Sequence, residues 1–281
     1  MTVASRSGAS WDEYLFKGTA GFYERGRLPY ADALGITLRD ELGLDGRGTV
    51  ADLGSGPGTL TRVLAGYVER VVAVDPDPDM IASGRALCNA ANITWRTAAA
   101  EDVTFVPGEL EAALFGQSFH WMDRERVAAM LREALRPGGH LVLVADVKTP
   151  RTGQPEGTVP VPHAEMDALI AEYLGSQRRA GRSVLASGTP RDEEEVLTRA
   201  GFTGPKRVVV PATRVLVRSV DDVMAEVYSK SFSAHHLFGD RLNEFDGRLR
   251  TLLAEHAMDG HYPTLPPDTD VRIWMNPPVR A

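Results

Sequence analysis

Cysteine is nearly absent from this sequence of 281 residues, because Cys88 alone can form neither an intrachain disulfide nor a cysteine-rich zinc site. Long apolar runs are absent as well. The best ones, Val71–Val74 and Leu141–Ala145, fall far short of the roughly 18 residues that indicate a membrane span. Acidic residues outnumber basic ones, and the net charge of −7 argues against binding to nucleic acid through a broad basic surface.

The first residues, Met1–Tyr14, also lack the apolar stretch of a signal peptide. We therefore expect a cytoplasmic protein that acts on a small molecule, with neither a membrane nor a nucleic acid as its partner. Its oligomeric state is left open. The composition that remains, 43% hydrophobic and 25% charged residues, is ordinary for a globular chain with a sizeable core.

Strand-like and helical segments alternate through the first half of the chain. Residues 124–136 give the clearest helix, with apolar side chains at i, i+3, i+4, i+7 and i+8. The segments that read as strands are Thr49–Leu53, Val71–Val74, Ile93–Thr97, Leu110–Phe115 and Leu141–Ala145. Such alternation predicts an α/β fold built from parallel βαβ units, with helices on both faces of the sheet.

The pattern changes after Asp146, where residues 148–162 contain four prolines and two glycines and predict a long loop or lid. Further on, the sequence predicts a helix through 163–179, a strand over Val208–Val217, helices near 221–231 and 240–256, and a closing strand at Val271–Met275. We therefore expect an N-terminal helical lid at 1–45, a nucleoside-binding core at 46–147, a cap insertion at 148–190 and the rest of the core at 191–281, with a helical insertion at about 219–258.

A glycine-rich turn, Gly54–Gly58, directly follows the first predicted strand and precedes a helix. Glycine allows backbone amides to approach a ligand closely, and a helix N-terminus favours electron-rich groups. Asp75 lies 23 residues after Asp52, at the end of the second strand, where a carboxylate can accept both hydroxyls of a ribose. The pair predicts a nucleoside-binding βαβ unit.

The glycine spacing favours one cofactor class over another. A dinucleotide loop reads G-x-G-x-x-G, whereas this loop reads G-x-G-x-G with Asp52 two residues ahead of it. That carboxylate would repel a pyrophosphate and attract an ammonium group. A nucleoside that carries an α-amino acid is therefore favoured, and an NAD(P)-dependent oxidoreductase remains as an alternative.

At this point the sequence resembles the class I S-adenosylmethionine-dependent methyltransferases, in particular their type-11-like small-molecule group. The segments that carry the resemblance are Tyr23–Tyr30, Ala51–Gly58, Val72–Met80, Ala99–Asp102, Gln117–Trp121 and Leu131–Gly139. It implies a doubly wound, Rossmann-like, seven-stranded, mostly parallel sheet with helical cap insertions, and S-adenosyl-L-methionine as the cofactor. Together, the loop and the resemblance assign cofactor contacts to Tyr23, Arg27, Asp52, Gly54, Ser55, Gly56, Gly58, Asp75, Pro76, Met80, Ala100, Glu101 and Gln117.

Candidate catalytic residues are His120, which follows the fourth strand on the expected ligand side of the sheet, and His235 and His236 in a segment after a helix. No metal site is expected. The acids Asp75, Asp77 and Asp79 do not match a calcium loop, so we interpret them as ribose binding and helix capping.

The expected function is methyl transfer to a small organic acceptor, such as a secondary metabolite. A sulfonium already carries a good leaving group, so alignment of the acceptor is the main requirement. The sequence names neither the acceptor nor the atom that is methylated. Ala99 stands where the family often has an aspartate. It leaves open a repurposed fold that acts as a partner subunit or catalyses a reaction other than methyl transfer.

Overall fold

The computed structural model describes residues 16–148, 155–177, 179–180, 183–184 and 192–278. In chain order its strands are β1 Thr49–Leu53, β2 Arg70–Asp75, β3 Ile93–Thr97, β4 Leu110–Gly116, β5 Leu135–Asp146, β6 Arg179–Ala180, β7 Ser183–Val184, β8 Thr203–Val210, β9 Leu216–Ser219, β10 His261–Thr264 and β11 Thr269–Met275. Its α-helices are α1 Ala20–Gly26, α2 Leu34–Leu42, α3 Thr59–Leu64, α4 Pro78–Leu87, α5 Arg124–Ala134, α6 His163–Leu174, α7 Glu193–Arg199, α8 Val220–Tyr228 and α9 Leu242–His256.

Seven strands form the central sheet in the order β3-β2-β1-β4-β5-β11-β8. Only β11 runs antiparallel to its neighbours, β5 and β8. The predicted doubly wound, seven-stranded, mostly parallel sheet is thereby confirmed. None of the helices in the described ranges is both long and apolar enough to cross a membrane.

Both faces of this sheet are buried, as a parallel sheet requires. All five residues of β1 are buried, and successive side chains enter different core clusters. Ala51 and Leu53 pack with α5 and α7, whereas Val50 packs with α2 and α3. The carboxyl ends of β1, β2, β4 and β5 are thus held at one edge of the sheet.

A third apolar cluster lies outside the sheet and joins α6, α8 and α9. Arg218 of β9 joins α8 of this cluster to α1. Arg218 donates to Glu226 at 2.8 Å and to the carbonyl oxygen of Gly26 at 3.0 Å. Arg218 and Glu226 are both buried. These contacts place α1, which belongs to the predicted N-terminal lid, directly against the C-terminal helices.

Gly26 is where α1 and α8 approach most closely. A Cβ atom at this position would lie 2.4 Å from the carbonyl carbon and oxygen of Ala225, so backbone would have to move. We expect Gly26→Ala to lower the free energy of unfolding by about 1–3 kcal/mol, the cost of overpacking. Gly21→Ala in the same helix is the control, because nothing lies within 4 Å of its Cβ and helix propensity favours alanine. Equal denaturant midpoints for the two variants would contradict this account of the α1–α8 contact.

Several predicted elements differ from the structure. The strand predicted at Leu141–Ala145 begins earlier, at Leu135, and the helix predicted over 124–136 ends at Ala134. The predicted strand Val208–Val217 is wrong as one element, because β8 ends at Val210, before Pro211, and β9 begins at Leu216. The predicted helix through 163–179 ends at Leu174, because Gly175 has a φ of 85° and stops it. The expected boundary between 148–190 and 191–281 lies outside the described residues.

Candidate functional site

The glycine turn between β1 and α3 is shaped by three residues with positive φ: Gly54 at 68°, Gly56 at 54° and Gly58 at 83°. The amide of Gly54 donates to the carbonyl oxygen of Val74 at 2.8 Å, which ties the turn to β2. A Cβ on Gly54 would lie 2.5 Å from the Cβ of Ser118. Over Gly56 the nearest atom to such a Cβ belongs to Tyr23, 4.0 Å away, so this part of the turn remains open.

Asp75 ends β2 and braces this turn. Its Oδ2 atom accepts from the amide of Gly56 at 2.8 Å, and its Oδ1 atom accepts from the amide of Asp77 at 3.0 Å. Burial raises the pKa of Asp75 to about 6, although both amide hydrogen bonds act in the opposite direction. Each carboxylate oxygen has a second lone pair, so Asp75 can accept further hydrogen bonds.

The neighbouring acids behave as helix-capping groups. Asp77 is the N-cap of α4 and accepts from the amide of Asp79 at 2.8 Å. Asp79 stands in the first turn of the helix, where negative charge is favoured. No group of three or more potential metal-ligating side chains occurs within the part of the chain that the structure describes.

A cleft opens above this turn at the edge of the sheet where the strand order reverses, between β1 and β4. It encloses about 690 Å³, including its open mouth. Nine of the thirteen predicted cofactor residues line it: Tyr23, Gly54, Gly56, Asp75, Pro76, Met80, Ala100, Glu101 and Gln117. Phe16, Asp77, Ala99, Gly116, Ser118, Trp121 and Met122 complete the wall.

Asp52 and Arg27, with Ser55 and Gly58, are the predicted residues outside this wall. Asp52 is 1% exposed; its Oδ2 accepts from Thr61 at 2.6 Å, and its Oδ1 is buried with no hydrogen-bond partner among the described residues. Burial raises the pKa of Asp52 to about 7. Arg27 lies with its guanidinium 5.0 Å from the ring centre of Tyr23, and its Nε atom is also buried with no partner in the part of the chain that the structure describes. Within these ranges the site therefore holds one unsatisfied acceptor and one unsatisfied donor.

Tyr23 lies among these charges, where α1 covers the glycine turn. Burial raises the pKa of its hydroxyl, and Arg27 acts in the opposite direction. Three carboxylates raise the same pKa further, those of Asp75, Asp146 and Asp52. Tyr23 is therefore close to the carboxylates at the ends of the strands and to Arg27, which directly follows α1.

The cleft also has apolar lining. Met80 and Ala100 are each 3% exposed and both line it. Glu101 lines it as well, but its Oε1 atom accepts from the amide of Asp123 at 2.6 Å, which holds the turn against the start of α5.

The three candidate histidines do not come together. His120 lines a second cavity, not the cleft, and burial lowers its pKa to about 4. His235 packs edge-on against Phe22 and Tyr228, at centroid distances of 4.5 and 4.1 Å. His236 is exposed. Neither His235 nor His236 is among the described residues that line the two cavities.

Sequence reasoning missed Phe16, which forms an aromatic wall of the cleft together with Trp121. Phe16 and Trp121 meet edge-to-face with ring centres 5.9 Å apart, and both line the cleft. Trp121 belongs to Gln117–Trp121, the segment after β4 that the sequence analysis includes in the family resemblance. Phe16 precedes the Tyr23–Tyr30 element, and no pattern around it signals a ligand contact.

Comparison with known proteins gives one family match: residues 51–143 match the model of a methyltransferase domain. An uncharacterized methyltransferase of Mycobacterium tuberculosis is 36% identical over 139 residues, which is 49% of this chain and 54% of the relative. One of Schizosaccharomyces pombe is 27% identical over 134 residues, 47% of this chain and 53% of the relative. The chain thus spans about half the length of these curated relatives.

Among solved structures, phosphoethanolamine N-methyltransferase 2 of Haemonchus contortus superposes with a TM-score of 0.55. That enzyme was solved with phosphomonomethylethanolamine and S-adenosylhomocysteine. The match has 14% sequence identity and covers 96% of this chain and 61% of the other. At this identity the likeness establishes the fold alone.

Proposed function

We propose that residues 51–143, which match the model of a methyltransferase domain, form a class I S-adenosylmethionine-dependent methyltransferase domain, and that the protein transfers a methyl group from this cofactor to a small organic acceptor. The observation that carries the proposal is a pair of buried, unsatisfied atoms near Tyr23, which lines the cleft. Among the described residues, Asp52 Oδ1 has no donor and Arg27 Nε has no acceptor. An α-amino acid group supplies both, since its ammonium donates and its carboxylate accepts.

The rest of the cleft fits a nucleoside. Asp75 would accept the ribose hydroxyls with the lone pairs that Gly56 and Asp77 leave free. Met80 and Ala100 would flank the base with apolar surface. Because Gly56 carries no side chain and its surroundings are open, the backbone there can lie directly against the ligand.

When bound, the cofactor supplies an electrophilic methyl group on a sulfonium. The chain's own residues would then orient the acceptor and exclude water. Tyr23 covers the glycine turn from α1, and the Phe16–Trp121 pair closes the wall near the segment after β4. A base is needed only for an acceptor that must lose a proton.

The direct test is incubation of the protein with methyl-labelled cofactor and a panel of amines, phenols and carboxylic acids. We expect label in at least one small acceptor, and none when the protein is left out. Unlabelled acceptors, together with a melting temperature that NAD(P) raises and S-adenosylhomocysteine does not, would favour the oxidoreductase. Stoichiometric binding of S-adenosylhomocysteine would argue against a repurposed fold that has lost the cofactor.

Cofactor affinity should depend on pH through Asp52. Its pKa of about 7 means that the carboxylate is mostly protonated at pH 6, whereas an ammonium group requires it ionised. We expect S-adenosylhomocysteine to bind about tenfold more tightly at pH 8 than at pH 6, with release of a proton.

The free energy of unfolding of the unliganded protein should change in the opposite direction and fall as the pH rises. A raised carboxyl pKa stabilises the fold at acidic pH, and this contribution is lost as pH rises through about 7.

Calorimetry in buffers of different ionisation enthalpy measures both the affinity and the released proton. Asp52→Asn is the control variant, and it should bind more weakly with a flatter pH profile. A wild-type affinity that is constant from pH 6 to pH 8 would contradict the role given to Asp52.

A further inference from the structure

A second cavity adjoins the cofactor cleft. It lies at the carboxyl ends of β4 and β5 and encloses about 1220 Å³, including its open side. The two cavities have only Gln117 and Ser118 in common among the described residues. These two residues therefore form the boundary between the cofactor cleft and the second cavity.

Gln117 is held at this junction in an uncommon conformation. Its φ is 57°, which is strained for a residue other than glycine, and its amide donates to the carbonyl oxygen of Val144 at 2.9 Å. Its side-chain Nε2 atom donates to Oδ2 of Asp146 at 3.1 Å. Strain of this kind persists where the surrounding structure fixes a useful position, and here it directs the amide to Asp146.

Asp146 ends β5 and lines the second cavity. Its Oδ1 atom accepts no hydrogen bond within the part of the chain described by the structure. Burial raises the pKa of this carboxyl, while the charges of Arg27 and Lys148 lower it and that of Glu226 raises it. One oxygen is thus oriented by Gln117 and the other is available to a ligand.

From this geometry we infer that Asp146 receives an N–H or O–H group of the methyl acceptor beside the transferred methyl, and that Gln117 is its positioning residue. The inference rests on the proposed function. It predicts an acceptor with an amine or hydroxyl at the reacting end, because a carboxylate there would be repelled by Asp146. The second cavity would take the remainder of such a molecule.

Sinefungin tests this contact without knowledge of the acceptor. In this analogue a carbon that bears an amino group replaces the sulfonium and its methyl, so the amine stands where the methyl is transferred. S-adenosylhomocysteine lacks the amine and reports on the rest of the cleft. The ratio of the two dissociation constants, measured by calorimetry on the full chain, isolates the interaction at the methyl position.

In Asp146→Asn we expect sinefungin to lose at least about tenfold in affinity relative to S-adenosylhomocysteine, whose own dissociation constant should stay within about twofold of wild type. Asp146→Ala should lose the same preference, and retained binding of S-adenosylhomocysteine shows that each variant is folded. Asp32→Asn, an exposed acid paired with Arg214, is the control and should keep the wild-type ratio.

An unchanged ratio in both Asp146 variants, with S-adenosylhomocysteine still bound, would overturn this inference and leave the proposed function intact. Failure of wild type to bind either ligand would overturn the proposed function, and the inference with it. The two failures are therefore distinguishable in one set of titrations.

Discussion

Replacement of Asp75 by alanine should weaken the binding of S-adenosylhomocysteine by roughly 10- to 150-fold. The change removes hydrogen bonds between the ribose hydroxyls and a charged acceptor, worth about 1.5–3 kcal/mol. It also removes the brace on the amide of Gly56. Calorimetric titration of the two proteins measures the difference directly.

Two further variants separate these contributions. Asp79→Ala removes an acid of the same segment that is exposed in the first turn of α4, and its affinity should stay near that of wild type. Asp75→Asn keeps the size of the side chain and loses its charge, so we expect an intermediate loss. If Asp75→Ala binds as tightly as wild type, the assignment of Asp75 to the ribose is wrong.

Alanine substitutions at Gly54 and Gly56 should differ in their main consequence, which is lost stability at Gly54 and lost cofactor affinity at Gly56. At Gly54 the new Cβ would meet Ser118 at 2.5 Å, and Ser118 cannot withdraw freely because its hydroxyl donates to the carbonyl oxygen of Leu53 at 2.5 Å. We expect Gly54→Ala to cost about 1–2 kcal/mol of stability from left-handed strain and about 1–3 kcal/mol more from overpacking.

At Gly56 the new Cβ has space, so only the strain of about 1–2 kcal/mol should appear in stability. The methyl group instead enters the cofactor cleft, and affinity for S-adenosylhomocysteine should fall by at least about tenfold. Denaturant unfolding and calorimetry on both variants check the pair. Similar losses of stability and affinity in the two would contradict the geometry of the turn.

Much of the sheet could be predicted from sequence because each of these strands is marked by its own residues and their immediate neighbours. β1 and β2 are short apolar runs, as is the Leu141–Val144 part of β5, and burial on both faces leaves that pattern uninterrupted. The same holds for the glycine turn and for Asp75, since a strand end and a following turn fix both positions. These residues lie together because parallel strands end at one edge.

Other features depend on contacts between distant segments and left no local signal. The division of Val208–Val217 into β8 and β9 follows from pairing with β11 and β10, which lie more than forty residues further on. Arg27 is directed by Ser229, whose carbonyl oxygen accepts from its Nη2 at 3.0 Å. His120 follows β4 as expected and lines the second cavity together with Asp146, so its place near the acceptor stays a prediction.

The cleft beside the glycine turn is the centre of this account, and titration of the full chain with S-adenosylhomocysteine tests it most directly. We predict one bound molecule per chain, tighter at pH 8 than at pH 6, with no comparable heat from NAD(P). Absence of binding, or binding of NAD(P) in its place, would contradict the assignment of this cleft to S-adenosylmethionine.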